Sequence, residues 1–170
     1  NKIKLVGEKG TENVLNAISK DCKIIFPSTH VVYEGIDEVR VDIKEDEDTK
    51  PILSYSSSKA ANEKQLKESG KNYIILRLGS VYGYSTDTAR IDIMPNLFSK
   101  ISSQNGTLKL FSGGRQLKSL VPLIDVARCF KFMEERDDLS SETFNLVKDT
   151  LTVKKVAEIC KKHNPKVELR

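Results

Sequence analysis

The sequence predicts an α/β protein built on a parallel sheet. Short runs of β-branched and apolar residues, at 22–26, 72–78 and 144–147, read as buried strands. Between them lie segments of 10–15 residues whose apolar positions recur at helical spacing. Strands that alternate with such helices build βα units, and βα units build parallel sheets. No internal repeat and no low-complexity stretch interrupts the alternation.

Taken in order, residues 11–19 put Val14, Leu15 and Ile18 on one helical face. The strand at 22–26 runs into Pro27, with the hydroxyl residues Ser28 and Thr29 at its end. Residues 34–53 are mostly polar, hold Glu45-Asp46-Glu47-Asp48 and Pro51, and read as a solvated loop. Ser54 is the expected N-cap of a second helix, which Gly70 ends. After the strand at 72–78, Gly79-Ser80-Val81-Tyr82-Gly83 reads as a glycine-bracketed turn. A helix is expected over 91–101, short strands over 108–111 and 119–124, and a helix over 125–135 with Asp125 as its N-cap. Thr152 is placed to cap a last helix bearing Val156, Ile159 and Cys160. Residues 167–170 alternate like the start of a strand, and position 1 is Asn rather than Met, so a piece of a longer protein is expected.

Composition narrows the class. Of the 170 residues, 38% are apolar and 31% charged, as in ordinary globular proteins. No run approaches the ~18 apolar residues that span a bilayer, so no membrane is expected. The net charge of +4 is spread among both signs, so no nucleic-acid partner is expected either. Cys22, Cys129 and Cys160 are few, odd in number and far apart, which reads as reduced, buried thiols in a cytoplasmic protein without a metal site.

Tyr55-Ser56-Ser57-Ser58-Lys59 is the stretch that points to chemistry. Residues four apart on a helix project from one face. A free tyrosine, with a pKa of about 10, is too weakly acidic to exchange protons at neutral pH. A neighbouring ammonium favours the phenolate and makes the pair a tunable acid/base. Side chains at the carboxyl ends of parallel strands line the ligand crevice of such sheets. The strand ends Pro27-Ser28-Thr29-His30-Val31-Val32-Tyr33 and Arg77-Leu78-Gly79-Ser80-Val81-Tyr82-Gly83 therefore belong with it.

With Gly10-Thr11-Glu12-Asn13, these motifs resemble the extended short-chain dehydrogenase/reductase family, in particular its nucleotide-sugar epimerases and dehydratases. The resemblance implies a Rossmann-like, doubly wound parallel sheet with a small C-terminal substrate-binding region. It also implies NAD as cofactor, with NADP left open. By that resemblance Tyr55 is the acid/base, Lys59 holds the nicotinamide ribose and lowers the tyrosine pKa, and Thr29 binds the reacting hydroxyl. The cofactor-binding set is Ser28, Tyr55, Lys59, Leu78, Gly79, Ser80 and Val81. The substrate-binding set is Thr29, Ser80, Asp92, Ile93, Phe111 and Lys118.

Departures from the family pattern shape the expected reaction. His30 and Val31 stand where 4,6-dehydratases carry Asp-Glu, and valine moves no proton, so an epimerase is expected. The alternatives are a one-way reductase or dehydrogenase on a keto-sugar or other carbonyl, and a non-catalytic nucleotide-binding scaffold. Ser80 replaces an asparagine, and Lys118 an arginine whose bidentate fork it lacks. The nine glycines supply no G-x-x-G-x-x-G turn; Gly7-Glu8-Lys9-Gly10 has half its spacing without the rest. The N-terminal βαβ half of the nucleotide fold is thus expected to be absent, with this chain inactive alone. Residues 1–84 are expected to form the C-terminal half of the nucleotide-binding domain, and 85–170 mainly the substrate region, with 119–137 returning to the first. A homodimer is expected by the same resemblance.

Overall fold

The computed structural model describes residues 2–87 and 89–170. The chain begins with α1 (Lys2–Lys4), a π-helical stretch (Leu5–Lys9) and α2 (Gly10–Ala17), followed by β1 (Ile24–Thr29), a 3-10 turn (His30–Tyr33) and α3 (Ser54–Glu68). Then come β2 (Tyr73–Leu78), β3 (Ser80–Tyr82), α4 (Met94–Ser103), β4 (Thr107–Leu108) and a second 3-10 turn (Phe111–Gly114). The last elements are β5 (Leu117–Pro122), α5 (Leu123–Glu134), β6 (Glu142–Leu146), β7 (Asp149–Thr152), α6 (Val153–His163) and β8 (Glu168–Leu169).

These elements form two compact units. The first takes the chain up to Leu78 together with Ala127–Leu146. Its sheet has the order β1-β2-β6, parallel throughout. The register sets Ser28 beside Arg77 and Arg77 beside Asn145, one row short of the carboxyl ends. Ile74, Leu76 and Met133 form a core with Ile25, Cys129 and Phe144 against them. Both faces of β2 are covered, which is why its sequence is a nearly continuous apolar run. Pro27 fits because β1 pairs on one side only among the described residues, so the missing N–H breaks no ladder there.

The second unit comprises Gly79–Val126 and Val147–Arg170. Here β3 and β5 are parallel, β5 and β7 antiparallel, and β4 pairs with β8 in a separate parallel ribbon. Phe98, Leu108, Leu120, Val156, Ala157 and Val167 make its core.

Several sequence expectations need correction. The stretch 79–83 is not only a turn: Ser80–Tyr82 is a strand, stabilised by pairing with β5, which lies far along the chain. Ser54 is the first residue inside α3 rather than its cap; the cap position is Leu53, whose N–H is taken by the Ser56 hydroxyl at 3.1 Å. Asp125 likewise lies in the first turn of α5 and not before it, where a carboxylate still faces the positive end of the helix dipole. The stretch 108–111 gives only the end of a two-residue strand, and Phe111 opens a 3-10 turn. Cys22 is exposed rather than buried. The acidic cluster is more than a solvated face, because Glu45 accepts the Asn145 N–H at 2.8 Å and Glu47 pairs with Arg40 at 3.0 Å. Thr152 does cap α6, accepting from the Lys155 N–H at 3.1 Å. No helix among the described residues is long and apolar enough to cross a membrane.

Candidate active site

Helix α3 carries both members of the tyrosine–lysine pair, and its start is held from outside the helix. The Glu34 carboxylate accepts the N–H groups of Ile52 (2.8 Å) and Leu53 (2.7 Å) and the Ser56 hydroxyl. These donors, Ser56 first, hold the Glu34 carboxyl below the usual carboxylate range. An acidic side chain thus does the work of an N-cap that Leu53 cannot do.

Tyr55 and Lys59 line one groove of about 730 Å³ together with Phe26, Ser58, Gly7 and Val14. Tyr55 is 49% exposed. Lys59 is half-buried: its ammonium donates to the Pro27 carbonyl at 2.7 Å and stands 4.6 Å from the centre of the Phe26 ring. Burial pushes its pKa down, and the Glu63 carboxylate pulls the other way. An ammonium has three donors, so the Pro27 contact fixes Lys59 against β1 while leaving capacity for a ligand.

Thr29 does not line that groove. It is 8% exposed, and its hydroxyl accepts the Val31 N–H at 3.4 Å, starting the 3-10 turn. Ser28 donates its hydroxyl to Glu63 Oε1 at 2.5 Å, so its side chain is turned into the core. His30 Nδ1 lies 3.0 Å from the Leu78 carbonyl. A carbonyl only accepts, so Nδ1 carries the proton there and ties the ends of β1 and β2.

The remaining sites belong to the second unit. Asp92, Phe111 and Lys118 line a cavity of about 560 Å³ with Met94, Thr107 and Lys109. Phe111 is 79% exposed. Arg90 engages Asp92 through Nη2 (2.6 Å) and Nε (3.2 Å) and holds its carboxyl below the usual range. Ile93 occupies the N-cap position of α4 and is not part of the lining. Ser80 and Val81 lie in β3 opposite Leu120 and Val121, and Gly79 packs on the Ser119 backbone. Gly7 and Gly10 lie inside the N-terminal helical segment and form no strand-to-helix phosphate turn. A glycine cradle for a pyrophosphate is not found among the described residues.

A model of the NAD dependent epimerase/dehydratase family matches residues 6–146. The chain belongs to this family. Among solved structures, the UDP-glucuronic acid 4-epimerase of Bacillus cereus, solved with UDP-glucuronic acid and NAD, superposes with a TM-score of 0.82 at 21% identity, over 98% of this chain and 54% of that one. The UDP-glucose 4-epimerase of Thermotoga maritima, solved with UDP-glucose, gives 0.79 at 23% identity, over 98% and 57%. TunA, an NAD-dependent NDP-hexosamine 5,6-dehydratase, gives 0.78 at 23%, over 97% and 55%. At such identities the likeness is one of fold. The chain spans a little over half the length of these structures. No curated protein sequence gives a significant match.

Sequence reading missed Glu63, Arg77, Glu34 and Lys109. One signal was available: Arg77 interrupts an otherwise apolar strand run, and a charge buried there requires a partner.

Proposed function

We propose that this chain carries the proton-transfer and substrate-facing part of an NAD-dependent epimerase of a nucleotide sugar. The observation behind this reading is the convergence of Tyr55 and Lys59 on one groove, with Lys59 anchored to the end of β1. Tyr55, the acid/base of this reading, takes the proton of the sugar hydroxyl while the carbon bearing that hydroxyl loses hydride, leaving a keto-sugar. After the keto-sugar turns over, hydride returns to its opposite face and Tyr55 gives the proton back. Bound NAD would supply the hydride acceptor and donor. Lys59 lines the same groove and keeps donor capacity for a ligand, and Thr29, at the end of β1 outside that groove, is given the reacting hydroxyl by the family resemblance.

Charge supports a phosphate-bearing substrate. The second unit holds 12 Lys and Arg against 6 Asp and Glu, a net of +6, whereas the first holds 16 against 18, a net of −2. Lys109 and Lys118 suit the diphosphate, and Phe111 suits stacking on a base. Arg90 offsets the negative charge of Asp92 beside them.

Tyr55→Phe in the protein at its natural length tests this reading. Turnover of nucleotide sugars should fall by about 100- to 10,000-fold, the range for a lost general acid/base, with cofactor binding kept. Normal turnover would refute it. Net consumption of NAD(P)H with keto-sugars would point instead to a one-way reductase, since an epimerase recycles its cofactor.

A further inference from the structure

Glu63 and Arg77 are the most deeply buried charges of the first unit, 3% and 2% exposed. Burying two charges is costly unless every polar atom finds a partner, and here they do. Arg77 Nη2 donates to Glu63 Oε2 at 2.7 Å, and Nε to both carboxylate oxygens at 3.1 and 3.2 Å. Arg77 Nη1 donates to the Tyr33 hydroxyl and to the Glu45 carbonyl at 3.0 Å. Tyr33 donates onward to the Lys44 carbonyl at 3.1 Å, and Asn145 Nδ2 to the Ile43 carbonyl at 3.0 Å.

The place of the pair gives it meaning. Ser28, Arg77 and Asn145 sit abreast across the three parallel strands. Thr29 is the next residue of β1, at the carboxyl end where the crevice of such sheets lies. Glu63 stands four residues after Lys59 on α3, one turn along the same face. Ser28, by donating to Glu63, joins the strand that carries Thr29 to the helix that carries Tyr55 and Lys59.

We propose that Glu63 and Arg77 are positioning residues of the proton-transfer site: their ion pair locks the Ser28–Arg77–Asn145 row to α3 and the 43–45 loop, and so fixes the end of β1, which carries Thr29 and anchors Lys59, relative to the helix that carries Tyr55 and Lys59. The inference rests on the proton-transfer reading above. A purely stabilising pair behaves differently, because a buried ion pair can be exchanged for neutral groups of similar volume with little loss of stability.

The test uses the protein at its natural length. Ser28→Ala leaves the ion pair intact and removes only the tie to β1. It should lower kcat about 10-fold, with the KM for nucleotide sugar and the Kd for NAD within about 2-fold, and Ser28→Thr should restore most of the loss. The double variant Glu63→Gln/Arg77→Met should lower kcat further and raise amide hydrogen exchange at Thr29 and residues 43–45. Wild-type kcat in both, or an equal fall for Ser28→Ala and Ser28→Thr, would overturn the proposal. If Tyr55→Phe were fully active, the functional reading would fall instead. Hydrogen exchange at Thr29 would then still decide the clamp, and an unchanged rate in the double variant would refute it.

Discussion

A methyl group added at Gly114 should be far more damaging than one added next door at Gly113. Both glycines lie in the turn that follows Phe111, and both have left-handed backbones, with φ of +69° at Gly113 and +67° at Gly114. Alanine in that region costs roughly 1–2 kcal/mol, partly offset by about 0.4–1 kcal/mol from a stiffer unfolded chain. The two sites part ways in what the methyl would meet. At Gly113 nothing lies within 4 Å, whereas at Gly114 it would stand 2.8 Å from the Lys154 nitrogen and 3.1 Å from Lys154 Cα. Those atoms are the backbone of the first turn of α6 and cannot swing aside as a side-chain tip could. Overpacking of this kind typically costs about 1–3 kcal/mol. Gly113→Ala should therefore cost about 0–1.5 kcal/mol, and Gly114→Ala should exceed it by about 1–3 kcal/mol. Urea unfolding followed by circular dichroism reads the difference as a shift in midpoint at constant slope. Equal midpoints for the two variants would show that the turn does not press on α6, and the packing argument would fail.

Other perturbations address the site directly. Glu34→Gln removes a charged cap from α3 and should cost about 1 kcal/mol at pH 7. Because the folded carboxyl titrates below its unfolded value of about 4.3, that contribution is present above pH 4.3 and fades as pH falls through the folded value. Thermal unfolding at pH 7 and pH 3 should show the gap to wild type closing at low pH, and a gap independent of pH would rule out the carboxylate. Lys118→Ala should weaken UDP binding about 5- to 10-fold by calorimetry, with the deficit shrinking in high salt and Lys118→Arg binding at least as tightly as wild type; no change would remove Lys118 from the diphosphate site. Leu76 is fully buried in β2, so Leu76→Ala should cost about 2–5 kcal/mol in urea unfolding. A cost under ~1 kcal/mol would mean that the sheet core is not packed as described.

The parts of the fold that were legible are those whose signal is local. The run Ile74-Ile75-Leu76 is apolar on both sides because both faces of β2 are covered, so sequence alone places that strand. Tyr55 and Lys59 were legible for the same reason: a spacing of four needs only a helix to put both on one face. Ser80–Tyr82 was not, since three residues flanked by glycines become a strand only when β5 supplies the partner. Nor was the cap of α3, because Glu34, the residue that performs it, lies 19 positions before Leu53.

Arg77 shows where sequence reading stops and what lies beyond it. Arg77 interrupts an apolar strand run and so requires a partner, but Glu63, among helical Glu and Lys residues, reads as one more surface charge. Their pairing emerges only when the Tyr73–Leu78 strand fixes Arg77 in a row with Ser28 and α3 lays Glu63 over that row. Hydroxyls, carbonyls and carboxylate then saturate one another, leaving no polar atom of the arginine to water. A satisfied network of this kind admits few alternative arrangements. The end of β1 and the helix that bears Tyr55 and Lys59 are thus tied together from beneath by buried groups, Ser28, Glu63 and Arg77, that do not line the groove.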